Sequence, residues 1–280
     1  MKSYSKINLA LSIVNKTKPN GLHELDSINL ITSLHDVIKV KFNEKGNNIK
    51  IFSNKDIPLD ENNLVSKVIN KFKKVFNLTF SVDVTIIKNI PLQAGLGGGS
   101  SNAACMLDIL NKKFKTNMNA LEKINFLKDI TSDGPIFVLN TTCRVKGKGN
   151  IISPIKHKFK YKILLVKPFS GCNTKDVYNN IDYKKLNNIN MNKIEEAFIN
   201  DDFDSLCKRA FNDLLDSACK VNKEISDILL RLKACGFDIV SLSGSGSTCF
   251  AIAKSKFPYK AFKKIINKND YELVRIVKAR

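Results

Sequence analysis

The chain has 280 residues, of which 43% are hydrophobic, so it is long enough for one large domain or two smaller ones with a real core. Its 46 lysines and arginines against 26 aspartates and glutamates give a formal net charge of +20. The lysines are scattered without interleaved aromatic residues, which argues against a nucleic-acid-binding surface and favours a compositional bias. The charge still favours anionic small substrates.

The cysteine pattern points to a reducing compartment. The seven cysteines are an odd number, form no C-x-x-C pair and have no histidine at metal-binding spacing, which predicts free and mostly buried thiols. The sequence also lacks the run of about 20 apolar residues that a membrane helix needs. The apolar stretch 7–14 is too short and too interrupted for a signal peptide. We therefore expect a cytoplasmic protein with no membrane partner.

The first half of the chain mixes strands and helices. Residues 7–13 alternate between two strand faces, with Ile7, Leu9, Leu11 and Ile13 on one of them, which predicts a half-buried strand. Residues 63–76 carry apolar side chains at spacings of three and four, as in an amphipathic helix. The same reasoning predicts strands over 37–42, 49–52, 82–88 and 136–139, and helices over 100–114 and 121–130.

The second half is richer in helices. A polar stretch at 154–161 marks a candidate domain boundary. Beyond it we expect helices over 191–199, 203–215, 221–234 and 259–267, and strands over 162–166, 237–242, 249–253 and 273–277. Gly236 follows the third of these helices, where a C′ glycine belongs. Because strict βαβ alternation is missing, the α+β class is preferred over a doubly wound sheet.

A glycine-rich segment at 91–104 is the most informative motif. It reads Pro-Leu-Gln-Ala-Gly-Leu-Gly-Gly-Gly-Ser-Ser-Asn-Ala-Ala. Glycines allow positive φ and close approach of the backbone to a ligand, and a helix start adds N–H donors and positive partial charge. Such segments are often only turns, but a strand before it and a helix after it favour a phosphate cradle. It fits neither G-x-x-x-x-G-K-[ST] nor G-x-G-x-x-G.

This segment closely resembles the central motif of the GHMP kinases, and further matches extend from about residue 4 to residue 250. The resemblance implies a two-lobed fold, with a ribosomal-protein-S5-like N-terminal lobe over 1–155, a C-terminal α/β lobe over 156–280 and an active site in the cleft. It also implies ATP and Mg²⁺.

The resemblance further implies which residues bind the nucleotide. Ser100 or Ser101 would also hold a phosphate oxygen or Mg²⁺, and we assign the metal to Ser100, whose alternative role is a plain helix N-cap. The implied ATP-binding residues are Asn63, Lys88, Pro91, Gly95, Leu96, Gly97, Gly98, Gly99, Ser100 and Ser101.

Two charged residues match the catalytic positions of the family. Asp133, in Thr-Ser-Asp-Gly-Pro, would alone be interpreted as a turn residue, but the resemblance makes it the base that takes the acceptor proton. Gly134 departs from the apolar residue usual there. Lys6, in Ser-Lys-Ile-Asn-Leu, would alone be interpreted as a surface lysine, but the resemblance pairs it with the aspartate. Such a lysine would lower the pKa of the carboxyl group and orient it.

Four residues match substrate-binding positions. Asn8 shares a strand face with Lys6. His23, in Gly-Leu-His, matches a residue that recognises cytosine, although Leu22 replaces the tyrosine that stacks on the base. Tyr178 matches the aromatic residue on the other face of the base, and Gly244 lies in a third motif, at 242–247, under the substrate phosphates. The alternatives are a structural histidine, a helix-face core tyrosine and a strand-to-strand turn.

The reaction expected from the resemblance is transfer of the ATP γ-phosphoryl group to the 2-hydroxyl of a cytidine-diphosphate-linked methylerythritol, in isoprenoid precursor biosynthesis. We expect a monomer or weak homodimer. One alternative keeps the fold and changes the acceptor to homoserine or mevalonate. Another is a basic nucleic-acid-binding module, which would bind RNA in a salt-sensitive way and would not need the glycine–serine loop.

Overall fold

The computed structural model describes residues 1–14, 23–43, 45–186, 190–254 and 256–280, which form ten β-strands and ten α-helices. The strands are β1 (Lys2–Ile13), β2 (Leu25–Asn43), β3 (Ile49–Ser53), β4 (Ser81–Ile87), β5 (Cys143–Gly147), β6 (Ile151–Pro154), β7 (Lys162–Lys167), β8 (Ile239–Leu242), β9 (Cys249–Ile252) and β10 (Leu273–Lys278). The helices are α1 (Leu64–Val75), α2 (Gly98–Phe114), α3 (Ala120–Leu127), α4 (Gly134–Leu139), α5 (Thr174–Asn179), α6 (Met191–Ile199), α7 (Phe203–Arg209), α8 (Leu215–Val221), α9 (Lys223–Ala234) and α10 (Tyr259–Ile265).

The chain divides into two compact units, and both are discontinuous in sequence. The first contains Met1–Ser5, Leu34–Ile90 and Gly97–Asn140. The second contains Lys6–Ser33, Pro91–Leu96 and Thr141–Arg280. Within the glycine-rich segment, residues 91–96 belong to the second unit, and from Gly97 the chain is again part of the first unit. The predicted lobes 1–155 and 156–280 stay a prediction.

The first unit combines a sheet with helices. Strand β4 pairs in parallel with β3 and antiparallel with residues 37–43 of β2. Helix α1 buries the apolar stripe that includes Val68, Ile69 and Phe72. Its N-cap is Asn63 and its C-cap is Phe76, so the helix predicted over 63–76 is confirmed.

The second unit contains a four-stranded antiparallel sheet in the order β10-β7-β9-β8. Buried residues of β7, β8 and β9 pack with the apolar faces of α8 and α9 in one core. In the same unit, residues 25–29 of β2 pair with β5, which pairs with β6. Strands β5 and β6 and helix α5 were not predicted. Gly236 has φ +86° just after α9, which confirms its C′ role.

Strand β1 is buried on both faces, whereas the alternating pattern predicted a half-buried strand. Residues 5–13 are all buried, including the polar Lys6, Asn8 and Ser12. The polar side chains of Lys6, Asn8 and Ser12 are hydrogen-bonded inside the second unit. For example, the hydroxyl of Ser12 donates to Asp213 over 3.2 Å. The alternating pattern of β1 therefore distinguishes an apolar face from a polar face, and both faces are buried.

The strand predicted over 136–139 is wrong, because these residues belong to helix α4. Pro135 lies in the first turn, where its fixed φ favours a helix and its missing N–H does no harm. The helix ends at Asn140, in the left-handed conformation, whose N–H donates to the carbonyl of Ile136 over 3.0 Å. A short apolar run carries too little periodicity to separate strand from helix.

The single helix predicted over 203–215 is also wrong, because α7 ends at Arg209 and the next helix, α8, begins only at Leu215. The residues between them bond to strand β1. The N–H of Leu11 donates to the carbonyl of Phe211, and the N–H of Asp213 donates to the carbonyl of Leu11, each over 3.0 Å. These long-range bonds outweigh the local helical preference.

The state of the cysteines confirms the prediction of mostly buried thiols. All seven are present as thiols and not as disulfides, and five of them are buried. Burial raises the pKa of Cys105 to about 12 and raises that of Cys249 as well. Across the described residues, no helix is long and apolar enough to cross a membrane.

Candidate active site

The glycine-rich segment forms the turn that follows β4 and continues into the first residues of α2. Gly95 and Gly97 both have φ +70°, a conformation that side chains oppose. Gly97 is the N-cap of α2, so the helix begins two residues earlier than predicted. Ser100 is therefore the third helical residue, and its alternative role as N-cap is wrong.

Helix α2 starts differently from most other helices. In the described part of the chain, six helices begin after a residue whose side chain accepts a first-turn N–H: Asn63, Asn119, Asn173, Asn190, Asp202 and Asn222. Within the same described residues, α2 has no side-chain cap, because Gly97 has no side chain to offer. The first-turn N–H groups of α2 have no intrahelical partners and carry the positive end of the helix dipole. This arrangement suits an anion such as phosphate.

The backbone around Gly95 packs against the third motif, within the second unit. A Cβ atom at Gly95 would lie 2.0 Å from the carbonyl oxygen of Ser243. The hydroxyl of Ser243 donates to the carbonyl of Gly95 over 2.8 Å, and the N–H of Thr248 donates to the carbonyl of Ala94 over 3.3 Å. Gly244 lies in this motif with φ +57°. Close contact between two backbones is therefore what requires glycine at position 95.

The structure separates the roles of the two serines. The hydroxyl of Ser3 donates to that of Ser101 over 2.7 Å, and both residues are buried. The hydroxyl of Ser100 instead bonds to that of Thr131, two residues before Asp133. Ser100 therefore faces the turn that carries the predicted base. Asp133 itself is half-buried at the N-terminus of α4.

Lys6 and Asn8 lie together in the second unit, on one face of β1 as predicted. The ammonium of Lys6 donates to Oδ1 of Asn8 over 2.7 Å. The amide of Asn8 donates in turn to Oδ1 of Asn29 over 3.0 Å. Lys6 is only 4% exposed, so the alternative of a surface lysine is wrong. Asp133 belongs to the first unit, and its pairing with Lys6 stays a prediction.

Two further residues of the predicted nucleotide site, Asn63 and Leu96, form hydrogen bonds within the protein. Oδ1 of Asn63 accepts the N–H of Val65 over 2.9 Å, and its amide donates to the carbonyl of Pro58 over 2.6 Å. Pro91 is half-buried, while Leu96 is buried. The carbonyl of Leu96 accepts the N–H of Lys6 over 3.0 Å.

Lys88 has a buried partner that the sequence reasoning missed. Its ammonium donates to the carboxylate of Asp36 and to Oδ1 of Asn102, the latter over 3.2 Å. Asp36 is completely buried in β2. The available signal was an acidic residue flanked in the strand by Leu34, Val37 and Ile38, because a carboxylate buried among such neighbours needs a partner.

His23 lies in an aromatic cluster that we define as His23, Tyr178 and Tyr183. Its ring lies 4.8 Å from that of Tyr178 at 23°, and 6.1 Å from that of Tyr183 at 28°. Among the described residues, its buried Nδ1 has no hydrogen-bond partner. Burial lowers the pKa of this histidine. Tyr183 was missed, although it follows Tyr178 by only five residues, and Leu22 falls outside the described residues.

Comparison with known proteins gives these features a family context. The GHMP kinases N terminal domain matches residues 63–140, and the GHMP kinases C terminal domain matches residues 194–272. The 4-diphosphocytidyl-2-C-methyl-D-erythritol kinase of Clostridium perfringens is 39% identical over 258 residues, which cover 90% of this chain and 87% of that protein.

Solved structures agree on the fold. A crystal structure of 4-(cytidine 5′-diphospho)-2C-methyl-D-erythritol kinase matches with a TM-score of 0.81 and 22% identity, over 100% of this chain and 98% of the other. Mevalonate kinase from L. major, crystallised with R-mevalonate, matches with a TM-score of 0.75 and 14% identity, over 100% and 95%. At these identities the likeness concerns the fold alone, and it confirms the predicted α+β fold with two lobes.

Proposed function

We propose a reaction for this chain from one premise: it belongs to the GHMP kinase family, as the two family matches and the 39% identical relative establish. The chain is an ATP-dependent kinase. Its acceptor is 4-diphosphocytidyl-2-C-methyl-D-erythritol, which it phosphorylates at the 2-hydroxyl in the non-mevalonate route to isoprenoid precursors. The relative of that name aligns with 90% of the chain, and this supports the choice of acceptor.

The start of α2 is the observation that carries the kinase function. Two left-handed glycines bring the backbone to an N-terminus that lacks a side-chain cap within the described residues. The N–H groups of Gly98, Gly99 and Ser100 can therefore hold phosphate oxygens of ATP without competition from a capping side chain.

Asp133 and Lys6 supply the chemistry in this proposal. The acceptor oxygen attacks the γ-phosphorus, the bond to the bridging oxygen breaks, and ADP leaves with that electron pair. Asp133 takes the hydroxyl proton. The ammonium of Lys6 orients the carboxylate and stabilises negative charge on the transferring group. The buried bond between Lys6 and Asn8 restricts where that ammonium can point.

The donor set of the first unit also fits Mg²⁺. This cation prefers oxygen ligands and usually keeps waters and substrate phosphates among them. The Ser100 hydroxyl lies in the first turn of α2, beside Thr131 in the turn before Asp133. Ser100 would hold the metal together with ATP, and Mg²⁺ neutralises charge on the phosphates when it is bound.

The aromatic cluster supports a base-binding role in the second unit. Cytosine has two flat faces and an exocyclic amine. The buried Nδ1 of His23, which has no partner among the described residues, can accept a hydrogen bond from such an amine. Tyr178 and Tyr183 offer ring faces close to the imidazole. In this proposal Tyr183 supplies the stacking that Leu22 cannot.

A substrate panel tests the function. Purified protein with ATP and Mg²⁺ is given the cytidine-linked acceptor, homoserine or mevalonate, and ADP and the phosphorylated product are followed by ³¹P NMR. We expect turnover with the cytidine-linked acceptor alone. Asp133→Asn should lower kcat by about 10²- to 10⁴-fold, the usual contribution of a general base. Turnover of mevalonate or homoserine in place of this acceptor would refute the assignment, and an active Asp133→Asn variant would refute the mechanism.

A further inference from the structure

The carboxylate of Asp36 accepts hydrogen bonds from four groups of the first unit. Oδ1 accepts the backbone N–H groups of Asn89 and Ile90, each over 2.8 Å. Oδ2 accepts the ammonium of Lys88 and the amide of Asn102, the latter over 3.0 Å. The side chain of Asp36 is 0% exposed and that of Lys88 is 3% exposed. Both charges are thus removed from water and paired with each other.

These partners lie at both ends of the glycine-rich segment. Asn89 and Ile90 immediately precede Pro91, and Asn102 lies in α2 just after the glycines and serines. The amide of Asn102 also donates to the hydroxyl of Ser3 over 2.9 Å. One carboxylate therefore joins the backbone that enters the segment to the helix that leaves it.

Asp36 also determines the position of a positive charge. The ammonium of Lys88 lies 3.1 Å from where a Cβ atom at Gly98 would be, directly behind the first residue of α2. Lys88 is a long side chain with several rotatable bonds, and the carboxylate of Asp36 restricts it to one location. A cation held at this place adds to the positive end of the helix dipole.

We propose that Asp36 is a positioning residue for the nucleotide: it holds Lys88 and both ends of the glycine-rich segment in the geometry that binds phosphate. This inference rests on the proposed kinase function, because it takes ATP or ADP as the ligand. Asp36 acts through Lys88 and the backbone, and it needs no contact with the nucleotide.

The substitution Asp36→Asn separates positioning from simple packing. The carbonyl of asparagine can still accept the N–H groups of Asn89 and Ile90, but its NH₂ group then faces the ammonium of Lys88 without a counter-charge. Hydrogen bonds to charged groups are worth about 1.5–3 kcal/mol, so we expect the Kd for ADP and the KM for ATP to rise roughly 10- to 100-fold. The KM for the acceptor should stay within about threefold, because the second unit is untouched.

The matched control is Asp108→Asn, which removes a carboxylate that also pairs with a lysine but lies in α2. Asp108 accepts a bond from Lys123 over 2.6 Å, and its side chain is 30% exposed. This variant should bind ADP like the wild type. In addition, Lys88→Met should weaken ADP binding, and adding Asp36→Asn to it should cause much less than the sum of the two single effects, because the shared interaction is already lost.

The ADP titration by calorimetry requires no acceptor, so its result is independent of the acceptor assignment. A wild type that binds ADP but phosphorylates no tested acceptor would refute the proposed reaction and leave the role of Asp36 supported, provided that Asp36→Asn weakens ADP binding. An Asp36→Asn variant that melts at a lower temperature yet binds ADP with wild-type affinity would show a purely structural role and overturn the inference. So would equal effects of Asp36→Asn and Asp108→Asn.

Discussion

The start of α2 and the aromatic cluster are built from different parts of the chain. At the start of α2 the proposed ligand-binding groups are backbone N–H donors, and the nearby polar side chains, such as Asp36 and Lys88, are hydrogen-bonded to one another. In the aromatic cluster the proposed ligand-binding groups are ring faces and one imidazole nitrogen without a partner among the described residues. A backbone site tolerates few substitutions, whereas a side-chain site can exchange one ring for another.

The largest loss of activity is expected from a substitution at Gly95. In Gly95→Ala the new methyl group would lie 2.0 Å from the Ser243 carbonyl oxygen, so the two backbones must move apart. We expect kcat/KM to fall by about 100-fold or more, the effect of misplacing reacting groups by about 1 Å. The free energy of unfolding should fall by about 1–3 kcal/mol, as measured by denaturant titration.

Gly236→Ala is the matched control for this prediction. Gly236 has φ +86°, but among the described residues nothing lies within 4 Å of the position that its Cβ atom would take. The substitution therefore adds backbone strain of about 1 kcal/mol without a collision, and kcat/KM should stay unchanged. If the two variants lost the same activity, close packing at Gly95 would not be the reason for glycine there.

A smaller effect is expected in the aromatic cluster, at Tyr183. Stacking of a base on an aromatic ring is worth about 1–3 kcal/mol, so Tyr183→Leu should raise the KM for the cytidine-linked acceptor by about 10-fold. The KM for ATP should not change. Tyr183→Phe keeps the ring and should behave like the wild type, which steady-state kinetics can check. An unchanged KM in Tyr183→Leu would assign the missing stacking partner to another residue.

The smallest effect concerns pH. Burial lowers the pKa of His23 below its ordinary value of 6.5, so the ring is neutral at pH 7 and Nδ1 can accept a hydrogen bond. As the pH falls through this lowered pKa, the ring takes up a proton and loses its acceptor. Inhibition by the nucleoside cytidine, which has no phosphate to titrate, should then weaken by about two- to tenfold, the value of one hydrogen bond.

The same proton has a consequence for stability. In the unfolded chain the His23 ring takes up its proton near pH 6.5, whereas in the folded protein it does so only at a lower pH. The free energy of unfolding should therefore decrease as the pH falls from 6.5 towards the pKa of His23 in the folded protein. His23→Gln should flatten both pH profiles. A wild-type inhibition profile that stays level through the pH at which NMR shows the His23 ring taking up its proton would contradict a role for Nδ1 in base recognition.

The sequence allowed prediction of features that depend on residue type in one short segment. The glycines at 95 and 97, the apolar stripe of α1 and the C′ position of Gly236 follow from local rules, and the structure contains each of them. Family resemblance then identified the candidate residues. The burial of Lys6 and the contact of Ser100 with Thr131 agree with those candidates but came only from the structure.

Features that depend on distant partners could not be predicted. The break between α7 and α8 results from hydrogen bonds that join Phe211 and Asp213 to Leu11, at the other end of the chain. Asp36 and Lys88 are 52 residues apart, and neither residue alone indicates the other. Tyr183 is significant only because it stacks near His23, which lies far earlier in the chain.

The asparagine caps of this lysine- and asparagine-rich chain contrast with the start of α2. A composition biased towards asparagine supplies a cap at five helix starts, where the residue stabilises the helix. Asparagine also adopts left-handed geometry more readily than most residues, so the backbone at position 97 would tolerate it. Glycine nevertheless occupies that position, and among the described residues no side chain caps the helix there. At this helix start, open N–H donors take the place of a stabilising cap, as the proposed phosphate binding requires.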